Sequence, residues 1–157
     1  MPEIYGILFL LGFFMLLIGS IFLIAYIAAQ SRKKKQQQLF KELPTNTKYH
    51  AFLRFNRSTV QGKFLKIKAF EGSGILYIQN DKIIFKSTKD WNYTFDLASA
   101  KIKWEGENLV NGFLQWFSID DGTIKLFLNV ETGMFIFQTD NSKETTKSIF
   151  DKLRLYQ

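Results

Sequence analysis

The chain contains no cysteine among its 157 residues. This absence excludes disulfide frameworks, thiolate metal sites, cysteine nucleophiles and S-acylation, and it fits a reducing compartment. His50 is the single histidine, and without thiolates it cannot assemble a usual zinc site. We therefore predict neither a metal centre nor a cofactor.

Basic residues are missing from the N-terminal part of the chain. Residues 1–31 contain no Lys or Arg, and Glu3 is their one acidic residue. The stretch from Ile4 to Ala29 is uncharged and exceeds the roughly 20 residues that a helix needs to cross a bilayer. Tyr5 and Tyr26 stand near its two ends, as expected of rings at the membrane interfaces. We predict a transmembrane anchor over residues 1–31.

A cleaved signal peptide is the alternative for this segment. Such a peptide has a charged start, a shorter apolar part and small residues at the cleavage site. Here the start is MPEIYG and the positive charge follows the apolar part, which favours an uncleaved anchor. The small residues of AYIAAQ leave cleavage open.

All 21 basic residues lie from Arg32 onward. Four of them follow the apolar segment directly: Arg32, Lys33, Lys34 and Lys35. Cations beside a span are retained on the cytoplasmic side, which predicts an outside N-terminus and a cytoplasmic C-terminal part. The sequons Asn56-Arg57-Ser58 and Asn92-Tyr93-Thr94 would matter only in the reverse orientation.

Residues 32–47 are predicted to form a basic helical linker. They contain good helix formers and no helix breaker before Pro44. Leu39, Phe40 and Leu43 would form a short apolar stripe on this helix, which could dock on the membrane surface or on the following domain.

Residues 48–157 form the predicted body, where the hydrophobic period changes to two. The segments YHAFLRF, FLKIKAF, WNYTFDL, AKIKWEG and MFIFQTD read as strands, as do two hairpins, GILYIQNDKIIFKS and FLQWFSIDDGTIKLFLN. Asn80-Asp81 and Asp121-Gly122 are the predicted two-residue hairpin turns. We predict a body of about seven strands in a continuous antiparallel order.

The C-terminal segment has helical spacing. Ile149, Phe150 and Leu153 share a face, while Lys143, Lys147, Lys152 and Arg154 occupy the remaining faces. Asn141 with Glu144 three residues later is a plausible capping pair. The body is therefore predicted to end in an amphipathic helix.

This order of elements resembles the pleckstrin-homology-like (PH-like) superfold, in its GRAM-like or bacterial PH-like form. The hairpin of that group is matched here by Gly74, Leu76, Ile83 or Ile84, and Phe85. The resemblance covers residues 48–157 and implies a barrel of two nearly orthogonal sheets that a C-terminal helix closes. It also implies that the early loops hold lipid phosphates.

The residues give no indication of an enzyme. The acidic pairs Asp120-Asp121 and Glu105-Gly106-Glu107 both fall at predicted turns, where such residues serve backbone geometry. Gly62-Lys63 lacks the preceding glycine of a phosphate loop, and EGSGIL precedes a strand instead of a helix. We therefore predict a protein without catalytic residues.

Charge is divided unevenly within the body. Residues 48–103 carry a net charge of +7, and residues 104–157 carry −3. The cations that flank the first strand connection are candidates for contact with a headgroup or a partner: Arg54, Arg57, Lys63, Lys66 and Lys68. Alternating lysines are also the usual solvated face of a half-buried strand. A membrane tether would confine this charge to the bilayer surface, so nucleic acid is not a predicted partner.

Three functions remain open. The leading prediction is a non-enzymatic, single-pass membrane protein whose PH-like domain binds a protein partner as a scaffold or interaction module. The alternative is a module that binds anionic lipid through the basic early strands. The third is a barrel for a small hydrophobic ligand, because 17 phenylalanines could line a cavity; they could equally fill the core.

Overall fold

The computed structural model describes residues 2–57, 70–89, 91–108, 114–130 and 144–157. They form a long helix, seven strands and a second helix. The chain divides into two compact units, Met1–Lys34 and Lys35–Gln157. The predicted strands FLKIKAF and MFIFQTD lie outside the described residues, apart from Phe70.

Helix α1 runs from Pro2 to Lys41. Its segment Phe9–Ala28 is 20 residues long with a mean hydropathy of 2.6, and none of it is buried by the rest of the chain. The Ser20 hydroxyl donates to the Leu16 carbonyl at 2.7 Å, so this polar group is paired within the helix. By length and composition, the segment could cross a membrane as predicted.

The last turns of α1 belong to the second unit. The Phe40 ring packs 5.1 Å from His50 and 6.4 Å from Phe52, measured between ring centroids. The helix ends before Pro44, whose carbonyl accepts the Thr47 hydroxyl at 2.7 Å. Two docking surfaces were considered for the apolar stripe, the membrane and the following domain. Phe40 of this stripe contacts the following domain.

Seven antiparallel strands form one sheet, as predicted. They are β1 (Tyr49–Asn56), β2 (Gly72–Gln79), β3 (Lys82–Ser87), β4 (Asn92–Asp96), β5 (Lys101–Asn108), β6 (Leu114–Asp120) and β7 (Lys125–Val130). The spatial order is β4-β3-β2-β1-β7-β6-β5. Strand β1 pairs with β2 from Tyr49 to Phe55 and with β7 from Leu53 to Asn56. It therefore joins the two halves of the sheet.

The two predicted hairpin turns differ in outcome. Asn80 and Asp81 both have positive φ, 48° and 57°, as a two-residue turn of this hand requires. The prediction of a two-residue turn at Asp121-Gly122 is wrong. The connection is longer than two residues, because strand pairing ends at Asp120 and Lys125. The Asp121 carboxylate accepts the backbone N–H groups of Thr123 and Ile124 at 2.8 and 2.7 Å. These bonds organise a four-residue connection, residues 121–124.

The main core lies on one face of the sheet. Leu53, Phe55, Leu76 and Phe85 contribute from β1 to β3, and each is completely buried. Helix α2 (Thr146–Leu155) contacts β5, β6 and β7. Its predicted apolar face is confirmed: Ile149, Phe150 and Leu153 are buried in the same core.

The predicted cap of this helix is wrong. Helix α2 begins at Thr146, and Thr145 is its N-cap. The Thr145 hydroxyl accepts the Ser148 N–H at 3.0 Å, and the Ser148 hydroxyl accepts the Thr145 N–H at 2.9 Å. Serine here replaces the Glu or Gln that the usual capping box carries, so the sequence pattern pointed elsewhere.

The opposite, outer face of the sheet is also partly buried. Trp116 and Phe127 form a second apolar cluster there, against Phe70 and Leu114. Ile75 and Tyr77 of β2 are buried as well, at 0% and 3% exposure. Strand β2 therefore lacks the buried and exposed alternation of a strand with one solvated face.

A stability prediction follows from the close approach of β2 and β3. A Cβ added at Gly74 would lie 2.2 Å from the Lys86 carbonyl oxygen, which belongs to the backbone and cannot rotate away. Gly74→Ala should lower the free energy of unfolding by about 2 kcal/mol or more, measured by chemical denaturation.

Ser73→Ala is the matched control for Gly74→Ala. The Ser73 hydroxyl is buried and has no hydrogen-bond partner within the described part of the chain. Its removal should lower the free energy of unfolding by less than about 0.5 kcal/mol, or it should raise the free energy of unfolding. Equal destabilisation by the two variants would contradict the steric explanation.

Candidate functional site

Two of the five candidate cations of the body lie within the described residues. Arg54 is on β1 and Arg57 follows its last residue, while Lys63, Lys66 and Lys68 lie outside the described residues. The structure does not bring the two arginines together in one patch. They are three positions apart, and each contacts different aromatic residues.

Arg57 is held by a carboxylate. The Glu71 N–H donates to the Phe55 carbonyl at 3.0 Å, which places Glu71 beside the end of β1. The Arg57 Nε–H then donates to Glu71 Oε2 at 2.6 Å. This hydrogen bond is the main reason that the pKa of Arg57 lies above its ordinary value.

Trp91 covers the Arg57 guanidinium. The Cζ atom of Arg57 lies 3.9 Å from the ring centroid of Trp91, a close cation–π contact. The Trp91 ring in turn meets Phe55 edge to face, with 5.7 Å between centroids. Lys89 donates through Nζ to the Glu71 carbonyl oxygen at 2.5 Å. We call Arg57, Glu71, Lys89 and Trp91 the arginine cluster.

Arg54 lies on the outer face of the sheet. Its Cζ atom lies 4.5 Å from the centroid of Phe70, which stacks on Trp116 at 5.5 Å. In register, Arg54 stands between Ser73 of β2 and Asn129 of β7. Side chains directly opposite each other in antiparallel strands share a face, so these three residues form one polar row.

Three buried polar atoms near this row have no hydrogen-bond partner among the described residues: Ser73 Oγ, Asn129 Oδ1 and Trp116 Nε1. The orientation of the Asn129 amide follows from its Nδ2, which donates to the Gln115 carbonyl at 2.9 Å. Buried atoms of this kind ordinarily bind ordered water. The sequence carried no signal for this row, because its members come from three separate strands.

The arginine cluster lies at the end of β1 that is remote from the linker. At the Tyr49 end, the linker is tied to the turn between β2 and β3: Lys48 Nζ lies 3.0 Å from Asp81 Oδ1, and Gln79 Nε2 donates to Asn46 Oδ1 at 2.6 Å. Arg57 is eight residues further along, which corresponds to about 26 Å of extended strand.

The predicted acidic pairs have structural roles. Asp120 and Asp121 lie at a turn as predicted, and Asp120 Oδ1 accepts the Gly122 N–H at 2.8 Å. The turn predicted at Glu105-Gly106-Glu107 is wrong, because these residues lie inside β5. The pairing register shifts between Trp104 and Gly106, and Gly106 has a φ of 85°. A β-bulge therefore occupies the place of the turn.

Glu105 is a largely enclosed carboxylate. Its side chain is 14% exposed and accepts Lys125 Nζ at 2.9 Å and Ser118 Oγ at 2.7 Å. Partial burial would raise the pKa of the Glu105 carboxyl, but the hydrogen bonds from Lys125 and Ser118 outweigh it. The pKa of Glu105 is therefore lowered.

A second polar contact joins α2 to β1. The Tyr49 hydroxyl donates to Glu144 Oε2 at 2.8 Å, and Lys152 pairs with the same carboxylate. Burial, reinforced by the bond to Glu144, raises the pKa of Tyr49 far above its ordinary value. The sequence suggested Glu144 as part of a helix cap. In the structure it links Lys152 of α2 to Tyr49 of β1.

Among the described residues, no group of three or more His, Asp or Glu side chains could hold a metal ion. His50, the single histidine, is exposed and packs against Phe40.

Glu105 generates a prediction about pH. Because its pKa is lowered in the folded state, its contribution to stability is present above the unfolded pKa and is lost as pH falls through the folded value. Glu105→Gln should cost about 1 kcal/mol at pH 7. This cost should shrink as pH falls below about 4.5, the region of the ordinary Glu pKa.

Urea unfolding between pH 7 and pH 3 would measure the effect, with Glu107→Gln as the control. Glu107 is exposed on the same strand, and its carboxylate accepts Gln115 Nε2 at 2.9 Å. A cost of Glu105→Gln that stays constant down to pH 3 would show that the ionised carboxylate is not the stabilising form.

No protein-family model matches this chain, and neither the curated proteins nor the solved structures include a significant match.

Proposed function

We propose that this protein is a single-pass membrane protein whose PH-like body, residues 48–157, binds a protein partner at the cytoplasmic surface. It would act as a scaffold or accessory subunit without catalysis of its own. The assignment combines the span-length segment of α1, the topology of the body and the contacts of its described arginines. Each of these supports a different part of the proposal.

The topology supports the PH-like assignment. The strands follow one another as neighbours except between β4 and β5, which are the two ends of the sheet. Because β1 pairs with both β2 and β7, the order is that of a meander closed through its first and last strands. A C-terminal helix packs its apolar face into the core, as in the superfold that the sequence resembles.

The positive charges next to the apolar segment support the orientation. Arg32–Lys35 follow the candidate span Phe9–Ala28, and no Lys or Arg precedes it. The positive-inside rule then places the N-terminus outside and the body in the cytoplasm. In this orientation the four cations serve as a topological signal, and they can also attract anionic headgroups without specific recognition.

The observation that carries the choice of a protein partner is the set of contacts made by the described arginines of the body. Arg57 bonds to Glu71 and is covered by Trp91, and Arg54 lies over the Phe70 ring. Guanidinium groups held in this way are less available to lipid headgroups, which favours a protein partner over anionic lipid.

Two alternatives have weaker support. The anionic-lipid module needs basic side chains that face headgroups, yet Arg57 bonds to Glu71 and Arg54 stacks on Phe70. The hydrophobic-ligand barrel was suggested by the number of phenylalanines. Five of these pack in the core instead: Phe55, Phe85, Phe95, Phe117 and Phe150.

The orientation can be tested with the natural sequon at Asn92. Asn92 is exposed, whereas Asn56 of the other sequon is 2% exposed. In glycosylation-competent microsomes, we expect no glycan on Asn92, and an acceptor sequon appended before Met1 through a flexible linker should be glycosylated. A glycan that disappears with Thr94→Ala would show the reverse orientation.

The partner can be tested with the full chain by photo-crosslinking and mass spectrometry in its native membrane. We expect the same crosslinked protein when residues 1–31 are replaced by an unrelated single-pass anchor. The chain truncated after Lys41 should lose it. A partner that is retained by the truncated chain would instead assign recognition to the anchor and refute a function of the body.

A further inference from the structure

We propose that residues 40–48 form a releasable strap, which is docked on β1 and on the β2–β3 turn and detaches while the strands of the body stay paired. In the docked state, the strap fixes the strands to the last turn of α1. In the released state, the strands reorient about this helix end. The inference goes beyond the proposed function and does not depend on the identity of a partner.

An aromatic contact holds the helical end of the strap. The Phe40 ring packs against His50 and Phe52 of β1, with ring centroids 5.1 and 6.4 Å apart. Phe40 is still 48% exposed, so the contact removes only part of its surface from water. The stabilisation is therefore smaller than that of a fully buried aromatic side chain.

Polar contacts hold the rest of the strap. The Asn46 amide accepts Gln79 Nε2 at 2.6 Å and donates to Asn80 Oδ1 at 3.4 Å. Lys48 Nζ lies 3.0 Å from Asp81 Oδ1, and the two side chains are 53% and 80% exposed. Water competes for exposed groups of this kind, so such contacts are weak individually.

The strap lacks the burial that holds the strands together. Every residue from Lys35 to Lys48 is described, and none of them is buried. By contrast, Leu53 and Phe55 of β1 are completely buried. Segments with few buried apolar contacts open at a lower free energy than the core of the same domain. The strap should therefore detach before any strand of the body separates.

The strap has a fixed point at each end. Helix α1 ends at Lys41, and the Lys48 N–H donates to the Ile78 carbonyl at 2.9 Å, which ties the start of β1 to β2. Residues 42–47 lie between these two points. When extended, a segment of this length spans about 20 Å, so release gives the strands orientations that docking excludes. Any partner that binds one state more tightly would shift the balance between the two.

The test measures both states in the full chain, held in nanodiscs of neutral phosphatidylcholine. The chain has no cysteine, so Gln38→Cys and Lys101→Cys at exposed positions give unique sites for two nitroxide labels. Double electron–electron resonance should show a narrow distance population for the docked strap and a broad one for the released strap. Raising NaCl from about 50 mM to about 500 mM should raise the ratio of released to docked about twofold, because salt screens the exposed Lys48–Asp81 pair.

Two variants weaken single contacts of the strap. Asp81→Asn removes the ion pair, and asparagine tolerates the positive φ of this turn position; it should raise the ratio about threefold and abolish the salt effect. Its control is Asp151→Asn, which breaks the exposed pair with Lys147 on α2 and should leave the ratio unchanged. Phe40→Ala should raise the ratio about tenfold. Gln37→Ala, at an exposed position of the same helix, is the control for Phe40→Ala.

Three results would overturn the inference. The first is a single narrow distance population that neither salt nor the two strap variants change. The second is a broad population alone, and the third is an equal effect of Asp81→Asn and Asp151→Asn. Because no partner enters this measurement, a failure of the strap leaves the proposed function standing, and a failed search for the partner leaves the strap standing.

Discussion

The pairing of β1 with two neighbours is the interaction on which the rest of the body depends. Leu53 and Phe55 are completely buried, and their strand pairs with β2 on one side and β7 on the other. Without it, β2–β4 and β5–β7 would be separate sheets with further unpaired edges. The same strand separates the linker at Tyr49 from the arginine cluster at Arg57.

Most of the ion pairs that the structure describes contribute little to stability. The ion pairs that the structure describes are mostly exposed, and exposed pairs contribute at most about 1 kcal/mol each. Glu105 differs because it is enclosed and bonds to both Lys125 and Ser118.

Local signals predicted the elements well, and errors arose where short-range patterns competed. The apolar segment, the Asn80-Asp81 turn and the buried face of α2 each depend on neighbouring residues, so each could be read directly. Glu105-Gly106-Glu107 resembled a turn because glycine permits positive φ, but a bulge needs the same conformation. Only the pairing of β5 with β6 distinguishes the two.

Residue order alone was sufficient for the long apolar helix and the antiparallel elements, because length, hydrophobicity and period are properties of the chain. The site was not accessible in this way. Arg57, Glu71 and Trp91 are separated by up to 34 positions, and their contact exists only because β1 to β4 pair in register. That pairing brings Glu71 and Trp91 into contact with Arg57. It also places Arg57 at the end of β1 that is away from the linker.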